Sequence, residues 1–183
     1  MLEKGKFMTF LELAKERYSV RKYLHTPVEN EKLQYILEAG RVAPTALNKQ
    51  PQRFLVITSP AGKEKLQKAC DFHGAPMAIV VCALNDQAWI RPQDNHPMTE
   101  IDPTIAATQM MFAAWEQGIG SCWITWFDPE VIRAEFALPE NVEPVDILAL
   151  GYADSPVRQA DRHDKKRIPL SAMVWMEEVP TSL

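Results

Sequence analysis

R-V-A-P-T-A-L-N-K-Q-P-Q-R-F, residues Arg41–Phe54, sets a short polar loop between two prolines, and the apolar run F-L-V-I-T grows straight out of its end. Pro44 and Pro51 each lack an amide donor and bias the preceding residue toward extended backbone, which excludes helix interior and central strand here. The stretch predicts a stiff loop that leaves a helix and enters a strand. Thr45, Asn48, Lys49 and Gln50 can all donate hydrogen bonds from it. Two readings stay open on these residues alone. One is a rigid loop that holds a polar ligand; the other is a turn in which Thr45 and Asn48 satisfy only their own backbone.

Upstream, Pro27 precedes a predicted helix over about Glu29 to Val42, with Leu33, Ile36, Leu37 and Gly40 on one stripe. Further back, Thr9-Phe-Leu-Glu12 fits a capping box that opens a helix to about Glu16. Arg17-Tyr-Ser-Val-Arg21 follows. In an extended chain Arg17, Ser19 and Arg21 share one face. Two guanidinium forks and a hydroxyl suit phosphate oxygens; a solvated basic edge is the other reading.

Downstream of the loop the sequence predicts a strand at Phe54–Thr58, then a helix from Ser59-Pro60 to about Cys70. Met77–Leu84 is almost unbroken apolar sequence, which suits a strand covered on both faces. Residues 85–99 read as a long irregular loop whose Trp89, Arg91 and His96 either shape a pocket mouth or pack on the surface. Asp102-Pro103 reads as an N-cap with proline at N1, and no charge occurs from Pro103 to Trp115. A helix apolar nearly all round is buried, at the centre of the domain or in a subunit interface. Asp128-Pro129 opens another helix that Pro139 is expected to stop. Val145–Leu150 reads as a strand, and the tail Ala172–Val179 as strand-like.

Four segments in order carry a family resemblance. Pro44–Phe54, P-T-A-L-N-K-Q-P-Q-R-F, resembles the P-S-x-x-N-x-Q-P-W-x-F motif of the nitroreductase family, with Thr45 for Ser and Gln52 for Trp. Arg17, Ser19 and Arg21 match the family's R-x-S-x-[RK]. A-A-W-E-Q-G-I-G-S-C-W-I resembles its A-A-x-x-x-G-L-G-S-x-W-I, and Lys165-Lys-Arg167-Ile-Pro169 has the shape of its K-x-R-apolar-Pro. The ending Leu150-Gly-Tyr-Ala153 is similar too. The family has Glu-Gly in many members where this chain has Thr125-Trp126.

The resemblance implies an α+β fold, a mixed and mostly antiparallel sheet flanked by helices, in an intertwined homodimer whose tail crosses to the partner. It implies one FMN-binding domain over residues 1–183. Arg17, Tyr18, Ser19 and Arg21 would meet the FMN phosphate, ribityl chain and pyrimidine edge, and Lys165 and Arg167 would complete the phosphate site. Trp123, Ile124 and Thr125 would lie along the ring. Pro44, Thr45, Ala46, Asn48 and Gln50 belong to the loop that reaches the partner subunit's flavin. The implied activity is hydride transfer from NADH or NADPH to FMN and on to a small electron acceptor such as a nitroaromatic or quinone. Reductive dehalogenation, flavin cleavage or non-catalytic FMN binding are the alternatives on the same fold.

The rest of the sequence narrows the field. A chain of 183 residues with 46% hydrophobic and 24% charged residues fits one globular domain. A net charge of −4 argues against general affinity for nucleic acid or anionic membrane. Cys70, Cys82 and Cys122 show no CxxC spacing, and the four histidines form no H-E-x-x-H, so no metal is expected. No G-x-G-x-x-G turn and no nucleophile elbow occur. The N-terminal residues M-L-E-K-G-K-F-M-T-F lack a signal-peptide core and no run reaches membrane-spanning length, so a cytoplasmic location is expected.

Overall fold

The computed structural model describes residues 8–154 and 161–180; the first seven residues, part of the N-terminus read for a leader, lie outside them. The chain forms two compact units, Arg17–Pro156 and the two terminal stretches Met1–Glu16 and Val157–Leu183. In chain order the elements are α1 (Phe10–Glu16), α2 (Asn30–Arg41), β1 (Gln52–Ile57), α3 (Pro60–Ala69), β2 (Met77–Leu84), β3 (Ile90–Arg91), β4 (His96–Pro97), α4 (Ile101–Glu116), β5 (Gly120–Ile124), α5 (Pro129–Glu135), β6 (Val142–Gly151) and α6 (Arg162–Lys166).

The larger unit is built on a four-stranded sheet of order β1-β2-β6-β5, every pairing antiparallel. This is the expected α+β class with a mostly antiparallel sheet. β2 sits inside it, which is why its sequence is apolar on both faces. Its alternate residues Ala78, Val80 and Cys82 join a core with Leu66 and Ile132 of α3 and α5. Ile79 and Val81 face the other way, onto Ile36 of α2 and Met110 of α4. Each fully buried Val, Ile, Leu or Met side chain among these contributes about 1.5–3 kcal/mol. Gly40 lets α2 and α4 close, because a Cβ there would stand 2.9 Å from both Met110 and Phe54. In β6 the register slips between Val81 and Cys82 of its partner, where Asp146 and Pro144 are the facing residues. That bulge accommodates a proline in a strand.

Local signals hold at most helix starts. Thr9 and Glu12 exchange backbone bonds as a capping box, the Ser59 hydroxyl accepts from Gly62 N–H, and Asp128 accepts from the Glu130 and Val131 amides. Four expectations are corrected. α4 begins at Ile101, so Asp102 lies in its first turn and does not cap it. α5 ends at Glu135, before Pro139: Ala137 takes a left-handed φ of 51° and Leu138 N–H bonds back to the Arg133 carbonyl, a Schellman ending. Residues 85–99 contain a small hairpin, β3 with β4, braced by an Arg91–Asp94 ion pair. Among the described residues the tail forms a 3-10 turn at Leu170–Ala172 and no strand, since its side chains are exposed and meet no ladder. Among the described residues no helix is long and apolar enough to cross a membrane.

Candidate active site

Arg17–Tyr23 is extended, and its alternation is as the sequence predicts. Tyr18 and Val20 are buried, whereas Arg17 and Ser19 are half-buried and Arg21 is exposed. Ser19 makes a parallel bridge to Ser121, with Val20 N–H donating to the Ser121 carbonyl at 2.8 Å. A Cβ on Gly120 would lie 2.7 Å from Val20 Cγ2, so this approach requires glycine. The Tyr18 ring meets Trp115 edge-on at 5.4 Å. Its side chain therefore serves the core, which leaves only its backbone to a ligand.

β5 is the outer strand of the sheet. The Ser121 carbonyl points away from β6 to Val20, and strand alternation turns the N–H and C=O of Trp123 to that same side. Beyond Ser121 no strand covers this edge among the described residues. Here a cavity of about 930 Å³ opens, lined by Arg21, by the stretch from Cys122 to Pro129, and by Ala69, Cys70, Asp71 and His73. Its size suits a small-molecule or cofactor site. A cation, a free backbone edge and aromatic walls fit a planar, anionic group such as FMN. Trp126 is 94% exposed beside it.

Burial holds the two lining thiols protonated: Cys70 is pushed up to about 11 and Cys122 is also raised. Neither is a thiolate nucleophile at neutral pH. Behind the cavity, Trp123 Nε1 donates to Asp146 Oδ1 at 2.7 Å and the Thr104 hydroxyl donates to Oδ2 at 3.0 Å. Among the described residues no group of three or more His, Cys, Asp or Glu could hold a metal ion.

The structure thus brings Arg21, Trp123, Ile124 and Thr125 into one cavity. The loop residues Pro44, Thr45, Ala46, Asn48 and Gln50 do not line it. Their loop is a 3-10 turn with Leu47, Asn48 and Gln50 at positive φ. The Thr45 hydroxyl accepts from Gln50 N–H at 3.1 Å, and Asp102 Oδ1 accepts from Ala46 N–H at 3.1 Å. Lys165 and Arg167 belong to the terminal unit, on and just after α6, both exposed. Asp71, His73 and Asp146 sit in no motif and are not expected from sequence as site residues, and Asp102 is read there only as a helix cap. A carboxylate within the apolar run of β6 was the available signal for Asp146.

The Nitroreductase family model matches residues 14–71 and 68–152. A Methanothermobacter thermautotrophicus protein provisionally named NADH dehydrogenase/NAD(P)H nitroreductase is 30% identical over 179 residues, covering 89% of this chain and 87% of its own length. A nitroreductase family protein of Clostridium difficile superposes with a TM-score of 0.92 at 46% identity, over 94% of this chain and all of that one (100%). An FMN-dependent nitroreductase of the same species gives a TM-score of 0.68 at 30% identity, over 86% and 96% of the two chains. The chain belongs to the nitroreductase family of oxidoreductases.

Proposed function

We propose that the protein is a cytoplasmic FMN-dependent oxidoreductase that takes hydride from NADH or NADPH and passes electrons to a small acceptor, a nitroaromatic or a quinone, as a homodimer with FMN at the interface. The observation that carries this reading is the meeting, in one cavity, of Arg21 with the free edge of β5 at Trp123 and with Thr125 just past its end. FMN, when bound, supplies the capacity to accept two electrons as hydride and release them. The chain supplies position and charge. Arg21 places a permanent cation where the anionic pyrimidine edge would lie. The backbone of Trp123 and Thr125 would lie along the ring plane, the Arg17 guanidinium would neutralise phosphate charge and the Ser19 hydroxyl would donate a hydrogen bond to it; Lys165 and Arg167, in the terminal unit, are the further cations that the family resemblance assigns to a phosphate. Trp126 offers an indole face on which a planar acceptor can stack. The relative described as FMN-dependent supports the choice of cofactor.

The purified protein is expected to be yellow and to release FMN, not FAD, on heating. Arg21→Ala weakens FMN binding about ten- to hundredfold, the effect of one charge-assisted bond of roughly 1.5–3 kcal/mol. Absorption spectra and fluorescence titration read both. A colourless protein that takes up no added FMN overturns the reading. Oxidation of NADH or NADPH with an added quinone or nitroarene separates an enzyme from a flavin-binding sensor.

A further inference from the structure

Cys70, Asp71 and His73 bring the stretch after α3 into the cavity that Arg21 and β5 line. This stretch is built around one carboxylate. Asp71 Oδ1 accepts from the His73 backbone N–H at 2.7 Å, and Asp71 Oδ2 stands 3.5 Å from His73 Nδ1. His73 and Gly74 both adopt left-handed backbone, φ 60° and 65°. Glycine takes that region freely; histidine does so at a cost, which the Asp71 bond offsets. The imidazole is 23% exposed, at a cavity wall and not on open surface. With Nδ1 turned to the carboxylate, Nε2 is the ring nitrogen left to a molecule in the cavity.

We propose that His73, oriented by Asp71, gives the acceptor the proton that its two-electron reduction requires; this rests on the oxidoreductase reading above. A quinone becomes a hydroquinone by gaining two electrons and two protons. NADH or NADPH is oxidised to the nicotinamide cation and supplies both electrons with only one hydrogen nucleus. The second proton passes from His73 Nε2 to the acceptor oxygen: the N–H bond breaks, an O–H bond forms, and the imidazole is reprotonated from water. The other titratable groups around the cavity are poorer donors. Arg21 does not give up its proton. The Cys70 and Cys122 thiols are pushed up by burial, and Asp128 is engaged by the two amides that open α5.

The test compares two acceptors on the FMN-loaded protein. Menadione needs the extra proton, whereas ferricyanide takes electrons alone. His73→Asn is the first variant, because asparagine tolerates the left-handed region; Asp71→Asn is the second and keeps an oxygen for the His73 amide. The menadione-to-ferricyanide rate ratio is expected to fall about a hundredfold in His73→Asn, the usual worth of a positioned acid. It should fall by a smaller factor in Asp71→Asn, where the imidazole remains but is poorly aimed. FMN affinity, read by flavin fluorescence, checks that the cavity is intact. An unchanged ratio in flavin-loaded His73→Asn overturns the proposal, and if that variant does not fold, an unchanged ratio in Asp71→Asn does so. Wild-type protein that oxidises neither nicotinamide with either acceptor overturns the oxidoreductase reading, and this proposal falls with it.

Discussion

Asp146 is a carboxyl group in the middle of the apolar strand V-D-I-L-A-L, 5% exposed. Burial raises its pKa above the usual carboxylate range, the bonds from Trp123 and Thr104 offset part of that rise, and the Glu100 charge adds to it. A carboxyl that binds its proton more tightly folded than unfolded makes stability fall as pH climbs from the unfolded value, near 4, through the raised folded value. Each unit between the two is worth about 1.4 kcal/mol. Asp146→Asn keeps an oxygen for Trp123 Nε1 and an amide for the Thr104 hydroxyl, and it removes the titration. Urea unfolding of FMN-loaded wild type and Asp146→Asn is therefore expected to show a stability gap that widens in favour of the variant as pH rises from about 4 to neutrality. A gap that stays constant would mean that Asp146 is not titrating in the fold. Single residues of this kind were legible only as anomalies. The sequence displays a charge inside an apolar run, but its partners Trp123 and Thr104 come from two other elements.

At the scale of elements, punctuation read well and reach did not. The sequence placed both ends of α2 and α3 and the start of α5 to within a residue or two, and for α3 and α5 the signal was a polar cap followed by proline, which is local chemistry. The loop Pro44–Gln50 was legible as a stiff connector for the same reason. Its left-handed residues Leu47, Asn48 and Gln50 were not, since only asparagine among them favours that region. What holds the loop in this conformation is Asp102, 56 positions away from Ala46 and read from sequence as the cap of its own helix. Asp102 is 1% exposed and its Oδ2 has no partner among the described residues. The α4 N-terminus favours its charge. Asp102→Ala therefore removes two opposed effects, a charge-assisted bond worth roughly 1.5–3 kcal/mol and the penalty of an underpartnered buried carboxylate. Global stability should shift little while the loop loosens. Amide exchange at Ala46 is expected to speed up by about tenfold or more, with weaker FMN binding, and Asp102→Asn should show much less of either. Unchanged exchange at Ala46 would show that the loop's internal bonds suffice.

For the whole molecule, the apolar surface left over is the informative quantity. In the larger unit Leu47 is 74% and Trp126 94% exposed. In the terminal unit Phe10, Leu11, Leu170, Met173 and Met176 are all more than half exposed. Large apolar side chains left in solvent mark interfaces where they cluster. Periodicity in one chain shows which face is apolar but not which chain covers it. The uncharged stretch Pro103–Trp115 illustrates this: it packs on the sheet and α2 within its own chain, one of the two burials its composition allowed. The loop that carries Asn48 lines no part of its own chain's cavity, which is the arrangement a homodimer with shared sites requires. The interface expected exceeds ~2,000 Å² and is mostly apolar. Asn48→Ala and Arg17→Ala/Arg21→Ala chains, each poor at holding FMN alone, provide the test when mixed. If Asn48 acts across the interface, each heterodimer has one site with both defects and one with neither. About half of the heterodimer sites should then bind FMN with wild-type affinity, read by flavin fluorescence after subunit exchange is verified by native mass spectrometry. Heterodimers that bind no better than their parents, or a monomer that binds FMN fully, would place the whole site within a single chain.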